Sequence, residues 1–384
     1  MDYFLTDDQI ELRNLVRQIA DEKVRPVAAK YDREGTFPWD LVKIFADAGL
    51  FSVVVPEAYG GMGMGVMELV LVTEELSKAC GGISLSVAAS ALGTFPILIS
   101  GNDDQRKKYL PDLASGKKLA AFCLTEPGAG SDAGSMKTRA VKDGNDYILN
   151  GNKVFITNGG VAEVYTVIAV TDPAKGSRGT SAFIVEKNFP GFKVGKHEDK
   201  MGIRASATCE IVFEDCRVPA ANLIGSEGQG FSVAMKTLDK SRPGVASQAL
   251  GIAQGAFDLA LDYARHRVQF GQPISSLQAI QFMLADMATA IESARATVYA
   301  AARMIDSGAK NISQASAMSK LIASDTAMKV ATDAVQILGG YGYMRDYPAE
   351  KYMRDAKITQ IYEGTNQIQR LVIARTLINE AARS

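Results

Sequence analysis

The sequence predicts an α+β chain in three parts. These are an N-terminal α-helical domain over residues 1–118, a central antiparallel β domain over 119–227, and a C-terminal four-helix bundle over 228–384. Three observations predict it. Apolar residues recur at helical spacing up to about residue 118, give way to short β-rich runs to about 220, and return to helical spacing from about 228. The length of 384 residues fits two or three domains at about 150 residues each.

Thr6-Asp7-Asp8-Gln9 reads as a capping box that opens a helix over 6–30. Further helices are expected over Trp39–Ala48, 66–79, the small-residue run Gly82–Ser100, and from Asp103-Asp104-Gln105 to near Gly116. Pro56-Glu57-Ala58-Tyr59-Gly60-Gly61 breaks the pattern between them. Met1-Asp2-Tyr3-Phe4-Leu5 has neither the basic start nor the apolar core of an export signal. Apolar runs elsewhere fall short of the ~20 residues of a membrane span. The expectation is a soluble, cytoplasmic protein with no membrane span.

In the middle part the β cues are Tyr147–Leu149, Lys153–Ile156, Tyr165–Val170, Ala182–Val185 and Ile211–Phe213. They are separated by turn signals such as Asp143-Gly144-Asn145 and Asn150-Gly151, with no helices between, which argues an antiparallel sheet. In the last part Ile280, Leu284, Met287, Ile291, Ala294, Val298, Ala301 and Ile305 trace one stripe along 278–308. Comparable segments at 243–268, 313–338 and 366–382, with short connections, predict the bundle.

Composition removes several function classes. The 42 Lys+Arg and 43 Asp+Glu leave a net charge of −1, with no basic excess to draw a nucleic acid or an anionic membrane. Cys80, Cys123, Cys209 and Cys216 form no C-x-x-C pair, and His197 and His266 are the only histidines. Neither a zinc site nor a disulfide framework is expected, and no metal.

Four motifs carry chemistry. Gly128-Ala129-Gly130-Ser131-Asp132-Ala133 matches G-x-G-x-x-A, but no βαβ unit follows and Asn150-Gly151 stands where a ribose-binding acid belongs. No Walker A loop and no G-x-S-x-G elbow occur. Phe122–Pro127 leads a strand into this Gly-rich turn, which suits either close approach of a planar or anionic ligand or an ordinary hairpin. Arg265-His266-Arg267 at a helix end suits the helix dipole and equally a phosphate. Glu363, between Ile361-Tyr362 and Gly364, stands where desolvation would raise its pKa toward that of a general base; Gly364 would let a substrate approach.

The order of motifs is more specific than any one of them. Leu124-Thr125-Glu126-Pro127…Gly130-Ser131-Asp132, Phe155-Ile156-Thr157-Asn158-Gly159, Lys200-Met201-Gly202, Arg267…Phe270-Gly271, Gln336…Gly339-Gly340-Tyr341-Gly342 and Ile361–Thr365 succeed one another. Together they resemble the acyl-CoA dehydrogenase family, short- and medium-chain members above all, across essentially the whole chain.

The resemblance implies the acyl-CoA dehydrogenase fold and an FAD enzyme that oxidises an acyl-CoA thioester to the 2-enoyl-CoA. Glu363 would remove the α-proton while the β-hydride passes to flavin N5. Some relatives carry their base just before the arginine matched by Arg242; here that position is Ser241. Implied flavin contacts are Phe122, Leu124, Thr125, Ser131, Phe155, Ile156, Thr157, Thr365 and Gln367. Phe155 stands where the family often has Trp. Arg267, Gln278, Gln336, Gly339 and Gly340 would hold the FAD pyrophosphate and adenosine from a neighbouring subunit, implying a homotetramer. Ser131, Asp239, Arg242 and Gly364 would meet the substrate, and electron-transfer flavoprotein would accept the electrons.

Residues Ser84–Gly93 are expected to line the acyl pocket. Their small side chains would admit a branched or alicyclic acyl group, or simply allow close helix packing. Residues 84–100 hold no acid, so Ala91 and its neighbours favour ordinary 1,2-dehydrogenation through Glu363. A flavin monooxygenase on the same fold is the alternative of another class, needing neither Glu363 nor Arg242.

Overall fold

Thr6 Oγ1 accepts from the Gln9 N–H (3.3 Å) while Gln9 Oε1 accepts from the Thr6 N–H (3.1 Å), closing the capping box that opens α1 (Asp7–Ile19). The computed structural model describes residues 3–382; Met1 and Asp2, at the start of the segment Met1–Leu5, lie outside them. A π-helical turn (Ala20–Val24) carries α1 into α2 (Arg25–Glu34), which ends at Glu34 rather than near residue 30. Gly35 stops it there in the left-handed conformation (φ 65°), where a side chain would be strained.

The N-terminal part continues with α3 (Trp39–Asp47), α4 (Val66–Ala79), α5 (Gly81–Ser100) and α6 (Asp103–Ala114). By length and composition α5 could cross a membrane, although the sequence reading put every apolar run below that length; 78% of its most apolar window is buried inside the protein. Its small residues serve contact with the sheet. A Cβ on Gly93 would stand 2.6 Å from the Ala121 nitrogen, and the Gly93 carbonyl accepts from Thr166 Oγ1 (3.1 Å).

Eight strands follow: β1 (Ala120–Cys123), β2 (Arg139–Asp143), β3 (Asp146–Thr157), β4 (Val164–Val170), β5 (Thr180–Glu186), β6 (Phe192–His197), β7 (Thr208–Pro219) and β8 (Leu223–Ile224). The sheet runs β6-β7-β3-β2-β4-β5-β8, with β1 also paired to β4. It is antiparallel except along β4, where β1 (Ala120↔Val164) and β2 (Arg139↔Val170) pair in parallel. The β2–β3 hairpin lies between β1 and β4 in the chain, so no turn signal between neighbouring strands could have announced that pairing.

The C-terminal part begins with α7 (Gly230–His266), which starts well before the expected residue 243 and contains Pro243. Proline in a helix frees the carbonyl four residues earlier. Here that carbonyl, of Asp239, accepts from Ser316 Oγ (2.6 Å) on a neighbouring helix, so the helix continues. A small hairpin of β9 (Val268–Gln269) and β10 (Gln272–Pro273) precedes α8 (Gln278–Asp306), α9 (Ile312–Leu338), α10 (Gly340–Tyr343), α11 (Ala349–Thr359) and α12 (Asn366–Ala381). Helix α11 is an element the periodicity did not single out. Buried alanines, among them Ala249, Ala253, Ala256, Ala327, Ala331 and Ala334, allow close packing of α7 and α9.

Asp355 on α11 joins the three parts. Its carboxylate accepts from Lys351 Nζ (2.5 Å) and from the Ile203 N–H of the β domain (2.5 Å); Lys351 Nζ also reaches Cys80 Sγ (3.2 Å) between α4 and α5. Arg354 adds a pair with Asp32 on α2 (2.7 Å) and a bond to the Met201 carbonyl (3.0 Å). Losing one member of a buried ion pair typically costs ~3–5 kcal/mol. Asp355→Ala should therefore lower stability by about that amount, read as a lower urea midpoint by far-UV circular dichroism; an unchanged midpoint would refute the joint.

Candidate active site

A cleft of about 620 Å³ opens where the three parts meet. Helix α5 lines it with Leu85, Ala88, Ala89 and Leu92, while Ala91 packs in the core with the N-terminal helices and sheet and does not line it. Ser86 and Ser90 bond back to α5 carbonyls, and Ser90 Oγ accepts from Asn158 Nδ2 (3.1 Å). The small residues of this helix thus divide between packing and cleft.

A buried ion pair shapes the β-domain wall. Lys153 Nζ donates to Glu126 Oε1 (2.7 Å) and to the Leu124 carbonyl (3.0 Å), and Glu126 accepts from the N–H groups of Lys137 (2.6 Å) and Thr138 (3.0 Å). Burial works to raise the Glu126 pKa, but Lys153 and these donors hold it below the usual carboxylate value. The turn after β1 is thereby tied to β3. Beside Lys153 the β3–β7 ladder shifts register, and Phe155 takes a positive φ (59°), stands 64% exposed and lines the cleft.

The opposite wall is the turn between α11 and α12. Glu363 and Gly364 both have positive φ (49° and 91°), a strained state for glutamate. Gln369 Nε2 holds the turn by donating to the carbonyls of Glu363 (3.1 Å) and Gly364 (2.8 Å), and Thr365 Oγ1 caps α12 at the Ile368 N–H (3.3 Å). The Glu363 N–H has no acceptor among the described residues. Its carboxylate lines the cleft and accepts from Ser241 Oγ (2.6 Å). Burial raises the Glu363 pKa, opposed by the Ser241 hydrogen bond and by Arg242 and Lys320.

Of the residues singled out from sequence, Phe122, Leu124, Thr125, Ser131, Phe155, Ile156, Thr157, Arg242, Glu363, Gly364 and Thr365 line this one cleft. Arg267, Gly339 and Gly340 line a second, of about 580 Å³, where the Arg267 guanidinium stands 5.4 Å from the Tyr341 ring centre. The two clefts share no lining residue. Gln278, Gln336, Gln367 and Asp239 line neither; Asp239 instead pairs with Arg242 (2.6 Å). Among the described residues no three His, Cys, Asp or Glu side chains cluster to hold a metal.

Sequence reasoning missed Tyr362 bonded to Gln248 within the cleft wall, Gln369, and Lys320. Lys320 had a usable signal. It falls on the buried stripe of α9 that includes Ser316, Ala323, Ala327, Val330 and Ala334, where a charged side chain is out of place.

Residues 6–117, 121–216 and 228–378 match, in turn, the N-terminal, middle and C-terminal domain families of acyl-CoA dehydrogenase. The chain belongs to the acyl-CoA dehydrogenase family. It is 50% identical to the short-chain-specific acyl-CoA dehydrogenase of Clostridium acetobutylicum over 97% of this chain and 99% of that one. Butyryl-CoA dehydrogenase from Megasphaera elsdenii superposes with a TM-score of 0.96 at 46% identity, covering 98% of this chain and 100% of that one. A chain in the structure of the electron transferring flavoprotein of Acidaminococcus fermentans superposes equally well, at 0.96 and 51% identity, covering 98% of this chain and 99% of that one.

The strained turn makes a test that needs no substrate. A Cβ on Gly364 would stand 2.7 Å from Gln369 Nε2, at a φ that side chains rarely adopt. Gly364→Ala should cost about 1–3 kcal/mol, seen as a lower thermal midpoint; a midpoint equal to that of the unaltered protein would argue that the turn is unstrained.

Proposed function

We propose that the protein is an FAD-dependent acyl-CoA dehydrogenase that converts an acyl-CoA thioester to the 2-enoyl-CoA with Glu363 as base. One observation carries this reading: a carboxylate with raised proton affinity stands among apolar residues in a cleft that reaches all three parts of the chain. The names of the relatives, short-chain specific and butyryl, favour a short acyl group.

The residues fit a flavin. Phe155 and Phe122 offer aromatic surface, and Thr125, Thr157 and Ser131 offer hydroxyls beside it. In the turn after β1, Gly128 and Gly130 would have open space even around a Cβ, so backbone donors are accessible. When bound, FAD supplies the acceptor for the β-hydride. Thr365 and Gln367 are assigned to the same flavin. Arg267, Gln278, Gln336, Gly339 and Gly340 are assigned to the pyrophosphate and adenosine of a flavin held by another copy, in a homotetramer. The separation of the two clefts supports this: one chain does not bring both groups of residues into one cleft.

Glu363 takes up the α-proton at its carboxylate. Its raised proton affinity suits the task, because a more basic carboxylate takes up a weakly acidic proton more readily. The free Glu363 N–H is a donor for the thioester oxygen, on which charge develops as the proton leaves. Ser241 holds one carboxylate oxygen in place. Apolar walls from α5 and α7 keep water from the reacting carbons. Ser131, Arg242, Asp239 and Gly364 are assigned to the CoA thioester, Asp239 through its grip on Arg242. Electron-transfer flavoprotein is the assigned electron acceptor and the cytoplasm the assigned location.

Glu363→Gln should retain yellow flavin and lose at least ~100-fold in the rate of anaerobic bleaching by acyl-CoA, across a panel of straight, branched and alicyclic thioesters. A normal bleaching rate would sink the assignment of the base. Arg267→Ala should lose flavin on dialysis where the unaltered protein keeps it. Equal flavin-to-protein absorbance ratios after dialysis would count against the shared site.

A further inference from the structure

Lys320 is fully buried on α9 and has no role in the reaction proposed above. Its ammonium donates to the Gly364 carbonyl (2.8 Å) and to Asn366 Oδ1 (2.9 Å), and Ser324 Oγ bonds to the same Asn366 oxygen (3.1 Å). It forms no ion pair among the described residues. Burying an ammonium on a carbonyl and an amide alone is costly, and an apolar side chain would suit the alanine stripe around it better.

The charges around it single it out. From α7 comes Arg242; from α9, Asp325, which is itself paired with Arg370 on α12 (3.1 Å); and from the turn before α12, Glu363. Arg242 has its own carboxylate in Asp239. Lys320 is therefore a cation near Glu363 with no carboxylate in hydrogen-bond contact, Asp325 acting on it only through space. Burial lowers its pKa to about 7, with Glu363 and Asp325 pulling it back up and Arg242 pushing it down.

We infer that Lys320 is a positioning residue for the base: its ammonium grips the Gly364 carbonyl, holds the left-handed Glu363–Gly364 turn, and adds a positive charge at the turn that carries the Glu363 carboxylate. This rests on the reading of Glu363 as base. The hydrogen bond and the charge have separate consequences. The bond fixes where the carboxylate points, and the charge favours its ionised form.

The test uses the flavin-loaded protein with Lys320→Met, which removes both donor and charge, and Lys320→Gln, which keeps donors and removes only the charge. The base works ionised, and loss of a nearby cation raises its proton affinity. The acid limb of the kcat/KM profile should therefore move up by about one pH unit in both variants, a loss of roughly 10-fold below the limb. Lys320→Gln should recover more of the plateau rate than Lys320→Met.

A second readout is independent of turnover. The infrared band of the protonated Glu363 carboxyl, recognised by its absence in Glu363→Gln, should titrate about one pH unit higher in either lysine variant. Folded variants whose band and acid limb titrate as in the unaltered protein would overturn the inference. A protein that oxidises no acyl-CoA while the band still shifts would instead overturn the dehydrogenase reading and leave Lys320 as a positive charge at the turn that carries Glu363.

Discussion

The Asp355 carboxylate is the joint on which the rest of the structure depends. One oxygen takes the Ile203 N–H from the β domain, and the other takes Lys351, whose ammonium also touches Cys80 at the start of α5. Asp355, Lys351, Cys80 and Ile203 are all buried, so solvent is poorly placed to replace a lost partner and the joint favours one register of the three parts. Close backbone contact enforces the same register: a Cβ on Gly202 would stand 2.3 Å from the Arg354 carbonyl oxygen. Helix α11, which carries Asp355, leads directly into the turn bearing Glu363.

The cleft is a consequence of that register. Each part contributes a wall that would be incomplete alone: apolar side chains from α5, the Phe155 bulge and its Gly-rich neighbour from the sheet, and Ser241 with Arg242 from α7. Each wall is stiffened by buried polar contacts of its own. Glu126–Lys153 ties the sheet wall, Asp239–Arg242 the α7 wall, and Lys320 with Gln369 the Glu363–Gly364 turn. A chain with a net charge of −1 thus carries several buried cations around one cleft, each held by local contacts.

The proton affinity of Glu363 is a balance of these same contacts. Burial pushes it up, and Ser241, Arg242 and Lys320 restrain it. Without these cations and the Ser241 bond, burial would raise it further; without burial, they would lower it.

Local spacing was enough for much of this. The Thr6 capping box, the change of period near residues 119 and 228, and the position of α4 were all legible, because each depends on neighbours within a few residues. Other features depend on groups far apart in the chain. The parallel β1–β4 pairing, the continuation of α7 through Pro243 by a bond from Ser316, the turning of Ala91 away from the cleft, and the separation of Arg267 from the Glu363 cleft belong to that set. Lys320 lies between the two. Its place on an apolar stripe was visible in the sequence, but its partner, the Gly364 carbonyl, came within reach only when α9 packed beneath the turn. Periodicity reports which face of an element is buried; the hydrogen bonds and charges that meet there are set by packing between elements distant in sequence.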